Sequence, residues 1–175
     1  MFLDFLFGKK DPASAPAPVA SAPDVPAAVA PGTHIAYHPQ LVGELVQEHG
    51  NLLACFNAIA QAFDGGDLAA TCRELERFRG NLLAHLLKEN VRFYIYLEHA
   101  LAGDTTSHAL VHQFRHEMDD IGKAVLAFLG KYAELAKNPA LAESFRGELG
   151  GIGEVLIQRI RNEEDNLYPL YLPAY

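Results

Sequence analysis

Five polar side chains fall on helix faces that ought to be apolar: His49, His85, Glu89, Arg159 and Glu163. At about 100° per residue, His49 lies at the centre of a stripe formed by Val42, Leu45, Leu52, Leu53, Phe56 and Phe63. Glu89 falls within the stripe Leu75, Phe78, Leu82, Leu86, Phe93 and Tyr96, with His85 one turn earlier near its margin. Arg159 and Glu163, spaced the same way, fall among Ile152, Leu156 and Leu167. Residues i and i+4 share a face of a helix, so the members of each pair project together. Buried carboxylates and imidazoles cost about several kcal/mol unless paired or coordinated. Two explanations are open. One is metal coordination, since imidazole and carboxylate suit iron, manganese or zinc, and helical bundles build such sites from facing helices. The other is an internal network of ion pairs and hydrogen bonds.

The elements that must position these side chains read as four helices. Pro39 stands at a helix start, and the first apolar run ends at Gly65-Gly66. A second run extends from Asp67 to about Ala102, a third from near Thr105 to Lys137, and a fourth starts at Asn138-Pro139 and is closed by Pro169. Gly147, Gly150, Gly151 and Gly153 weaken the front of the last helix by about 1 kcal/mol each relative to alanine, which predicts a break or a close helix contact. Long amphipathic helices with short connections predict an all-α fold, an up-down-up-down four-helix bundle over residues 33–175. Residues 11–32 hold six of the ten prolines among many alanines, the composition of a flexible tether. Residues 1–10 are a short Phe/Leu cluster ending in Lys9-Lys10, suited to docking on an anionic membrane surface or a protein groove.

With 14 Lys+Arg against 22 Asp+Glu, the net charge of −8 repels phosphate backbones, which argues against nucleic acid as a partner. Cys55 and Cys72 are too few for a disulfide framework and lack zinc-type spacing. The lysines follow the first apolar cluster rather than precede it, the wrong order for a secretory signal. A reducing cytoplasm is the expected compartment, with the inner membrane surface as a further address through residues 1–10. No G-x-S-x-G, Gly-rich phosphate loop or nucleophile–base spacing appears, so the reading is of a non-enzymatic module.

The chain resembles the hemerythrin-like (HHE) family. The matching segments are Leu45-Val46-Gln47-Glu48-His49 with Leu52-Leu53, His85-Leu86-Leu87-Lys88-Glu89 with Phe93-Tyr94, and Glu163-Glu164 with Leu167-Tyr168-Pro169. In that family a four-helix bundle holds a non-haem di-iron centre that binds oxygen or serves iron and redox sensing. The resemblance makes His49 and His85 nitrogen ligands, and Glu89 and Glu163 bridging carboxylates. The sequence departs from the pattern on the last helix, where Arg159 or Gln158 stands in place of the family's histidine.

It departs again on the third helix. His112 and His116 offer a His-x-x-x-His, but the apolar stripe Val111, Phe114, Met118, Ile121, Val125, Phe128, Tyr132 and Leu135 turns them toward water. Phe114 and Met118 then occupy the inward positions. Arg159 brings fixed positive charge and five donors to Glu89 and Glu163. The expected cofactor is therefore one weakly held metal ion or none, iron if any, and a di-iron centre only if His112 and His116 face inward. The functional reading is a sensing or regulatory module acting through a protein partner. Alternatives are a di-iron protein that binds or senses oxygen, nitric oxide or iron, and an oxidase-type enzyme. A third is an anti-sigma regulator, since Ile152-Gly153-Glu154-Val155-Leu156 with Arg159 and Glu163-Glu164-Asp165 resembles the regulator-of-sigma-D family.

Overall fold

The computed structural model describes residues 28–174; the apolar peptide 1–10 and most of the proline-rich segment lie outside the described residues. Five α-helices follow in order: α1 (Leu41–Asp64), α2 (Leu68–Lys88), α3 (Ile95–Ala100), α4 (Thr105–Tyr132) and α5 (Ala142–Asn162). A π-helical turn, Glu89–Tyr94, joins α2 to α3 without breaking the rod, and a second, Glu163–Leu167, extends α5. The architecture is thus an all-α bundle of four rods. Among the described residues no helix is long and apolar enough to cross a membrane.

Local chemistry sets the corners. Gly66 takes the left-handed conformation (φ 77°) that ends α1 and that only glycine adopts without strain. Asp67 then caps α2 by accepting from the Ala70 amide at 2.7 Å, and Asp104 caps α4 by accepting from the amides of Thr106 and Ser107. The last helix runs unbroken through its glycines, and the close contact expected there is at Gly153. A Cβ at that position would stand 2.8 Å from Cε1 of Phe56, whereas Gly147, Gly150 and Gly151 face open space. Alanine at those three open sites is expected to stabilise by up to about 1 kcal/mol each. Gly153→Ala adds an overpacking cost of about 1–3 kcal/mol that cancels or outweighs that gain. Thermal melts of the four single variants check this, with Gly153→Ala the one that fails to raise the midpoint.

Residues 28–32 had the composition of a linker, yet they fold against the bundle. Ala30 is buried, Val29 pairs with Ala36 in an isolated antiparallel bridge, and Gly32 (φ 71°) makes the turn between them. Tyr37 stacks on Tyr171 at 4.9 Å and the Tyr171 hydroxyl accepts from the His38 amide, so this segment closes one end of the bundle. The boundary of the folded unit therefore lies earlier than composition indicates.

The interior divides in two. One apolar cluster contains Leu52, Ile59, Leu75, Phe78, Leu82, Val125, Phe128, Phe145 and Leu156. The other contains Leu41, Leu45, Phe93, Tyr96, Leu97, Val111, Phe114, Leu167 and Tyr171. The buried polar residues His49, His85, Glu89, Arg159 and Glu163 fall between these sets on every helix that carries them. His49 lies between Leu45 and Leu52, and Glu163 between Leu156 and Leu167. The bundle is an apolar core with a polar layer across its middle.

Candidate metal centre

Three of the four rods supply the charged and polar side chains of the layer. α1 contributes His49, α2 His85, the π turn after α2 Glu89, the end of α5 Arg159, and the π turn after α5 Glu163; all five are buried. Met118 and Phe114 face the layer from α4, while His112 and His116 lie on the opposite, exposed face of that helix and take no part in it. Gln158 is exposed, so Arg159 is the residue that α5 turns inward.

One donor atom from each of His49, His85, Glu89 and Glu163 lies within 4.8 Å of the other three. His49 directs Nε2 at Glu163 Oε2 (3.2 Å) and His85 directs Nε2 toward Glu89 Oε2 (3.7 Å). The other nitrogen of each ring is held from outside: His49 Nδ1 by Glu164 at 2.8 Å, and His85 Nδ1 by Glu48 at 3.1 Å. An outer carboxylate on Nδ1 fixes the ring's orientation and leaves Nε2 as the inward donor, the arrangement that supports imidazole ligands at metal sites. Glu48 is in turn anchored by Lys88 Nζ at 2.5 Å. Periodicity did not find Glu48 or Glu164, which are partly exposed and sit beside the buried residues rather than among them.

Two tyrosines complete the layer. The Tyr168 hydroxyl donates to Glu89 Oε1 at 3.0 Å, lies 3.3 Å from His49 Nε2, and its ring stacks on His49 at 5.6 Å. The Tyr94 hydroxyl accepts from Arg159 Nη2 at 2.8 Å. Arg159 donates through Nε to Glu163 Oε1 at 2.5 Å and lays its guanidinium 4.8 Å from the Phe114 ring centroid. One oxygen of Glu163 is therefore bound to Arg159, and the other faces His49. Glu89 Oε2 and Arg159 Nη1 are buried without a hydrogen-bond partner.

The electrostatics follow from that geometry. Burial and the neighbouring Glu163 charge push the Glu89 carboxyl up to about 8, against the opposing pull of Tyr168, His49 and Arg159. His49 is shifted upward because its bonds to Glu163 and Glu164 outweigh its desolvation. His85 is shifted downward, by burial first and then by the charge on His49.

The donor set fits a metal ion. Two imidazole nitrogens and two carboxylate oxygens suit iron, manganese or zinc, and the orphaned Glu89 Oε2 lacks the partner that a cation would supply. A cavity of about 20 Å³ lies against His49, His85, Arg159 and Glu163, otherwise walled by apolar side chains that include Met118 and Phe56. That is room for about one water molecule.

No curated protein and no solved structure matches the chain. A family model does: the Hemerythrin HHE cation binding domain matches residues 40–171, from the residue before α1 to Tyr171, and so spans the entire polar layer. The chain belongs to the hemerythrin HHE cation-binding domain family.

Proposed function

We propose that this chain is a sensing module that binds a single metal ion, iron foremost, through His49, His85, Glu89 and Glu163. The observation that supports it best is the paired second contact on each histidine, Glu164 on one and Glu48 on the other, with both Nε2 atoms left inward. A bound iron ion would supply redox and Lewis-acid chemistry to the layer. The protein's own residues would fix its surroundings: Tyr168 orients Glu89, Lys88 holds Glu48, and Arg159 takes one oxygen of Glu163. Arg159 stands where a second cation would otherwise be needed to neutralise the carboxylates, which favours one ion over two. Space for about one water beside the cluster favours occupancy as a signal to a partner over turnover of a bulky substrate.

Metal analysis of protein purified without chelator tests the reading. One equivalent of iron per chain is expected, falling at least tenfold in affinity in His49→Ala and Glu163→Gln. Two equivalents per chain would refute the single-ion form. Iron content unchanged in both variants would refute the site.

A further inference from the structure

The outward face of α4 carries a second concentration of histidine that the buried layer does not use. His108, His112 and His116 follow one another at four-residue intervals, with ring centroids 5.1 Å apart for the first pair and 6.4 Å for the second. His112 and His116 are exposed and His108 is half-buried. None of the three rings makes a hydrogen bond or ion pair among the described residues. Asp104 lies one turn before His108 and Asp119 lies three residues beyond His116, so acidic groups flank the run at both ends. The nearer cations are engaged elsewhere, Arg115 with Glu98 and Lys123 with Asp120.

From this juxtaposition we infer a surface site on α4 for a late first-row divalent ion such as zinc, nickel or copper. Side chains at i and i+4 of a helix can close on one ion, as two histidines at that spacing do in zinc sites. Imidazole donors completed by water select these ions over calcium or magnesium. Reach sets the stoichiometry. Metal–nitrogen bonds are about 2.0–2.1 Å, so two nitrogens on one ion stand no more than about 4 Å apart. His108 and His116 are two turns apart, about 12 Å along the axis, and cannot share an ion. His112 belongs to both pairs. The run therefore holds one ion at a time, in either of two adjacent clefts, and His112 is indispensable to each.

Zinc titration of the untagged full chain by calorimetry tests this, comparing wild type with His108→Gln, His112→Gln, His116→Gln and the double variant His108→Gln/His116→Gln. Iron content and far-ultraviolet circular dichroism serve as controls, since these rings lie outside the buried layer. The expected pattern is a zinc affinity at least tenfold weaker in His112→Gln and in the double variant, with a change of a few-fold at most in His108→Gln and His116→Gln. Identical titrations for wild type and His112→Gln would overturn the site. Equal losses in all three single variants would overturn the two-cleft arrangement. If His112→Gln also lowered iron content, the ring would belong to the buried centre and the surface site would be refuted, leaving the single-ion reading of that centre to its own test.

Discussion

Arg159→Met is expected to lower the stability of the metal-free protein by about 3–5 kcal/mol, the cost of leaving a buried carboxylate without its cation. At about 2–4 °C per kcal/mol for a chain of this size, the thermal midpoint should fall by on the order of 10 °C. The reason lies in what the guanidinium touches. Its Nε holds Glu163, its Nη2 holds the Tyr94 hydroxyl, and its plane rests on Phe114, all in the interior. Methionine keeps the length and the apolar contact and removes the charge. The variant should then respond more strongly to an added divalent ion than wild type does. Both oxygens of Glu163 become available and one nearby positive charge is gone, so manganese should bind at least tenfold more tightly. Melts in chelator and in excess manganese measure both effects. A variant as stable as wild type in chelator would show that Arg159 does not serve as the layer's internal cation.

What the sequence made legible was the rotation of each helix about its own axis. A polar residue at the centre of an apolar stripe has only one place to point, and this argument puts His49, Glu89, Arg159 and Glu163 inside, where they are found. The same phase argument on α4 separates Phe114 and Met118 from His112 and His116. Contacts across helices were not legible. Glu48 and Glu164 are polar residues on helix flanks, ordinary in any bundle until the tertiary structure brings them to His85 and His49. Tyr168 and Tyr94 have the spacing of core aromatics, and only their hydroxyl partners distinguish them. The two π turns left no periodicity signal either: around the first, the apolar residues from Val91 to Leu97 are too dense to reveal a shift of one residue, and the second, Glu163–Leu167, holds a single apolar residue, Leu167. Each turn begins on a buried carboxylate, Glu89 or Glu163, consistent with the tendency of π turns to occur at functional sites.

Glu89→Gln should separate stability from binding. In the folded, metal-free protein Glu89 is almost wholly buried and its carboxyl is pushed up to about 8, whereas in the unfolded chain it titrates near 4.5. The folded state therefore binds the extra proton between those values, and stability present below pH 4.5 is lost as pH rises through the window up to about 8. His49, shifted upward, contributes in the same direction above 6.5; His85, shifted downward, opposes it by losing stability as pH falls below 6.5. Glutamine has no proton to lose and keeps an oxygen for the Tyr168 hydroxyl. It should raise the stability of the metal-free protein by on the order of 3 kcal/mol at pH 7, with little gain at pH 5. Metal affinity should move the other way. The variant loses a carboxylate donor, and the wild-type affinity should climb from pH 6 to 8 as the ion displaces protons from Glu89 and His49. Melts across pH in chelator, paired with iron or manganese titrations, read both halves. A Glu89→Gln midpoint no higher than wild type at pH 8 would mean that the buried carboxyl carries no penalty, and that the layer does not need a cation to be complete.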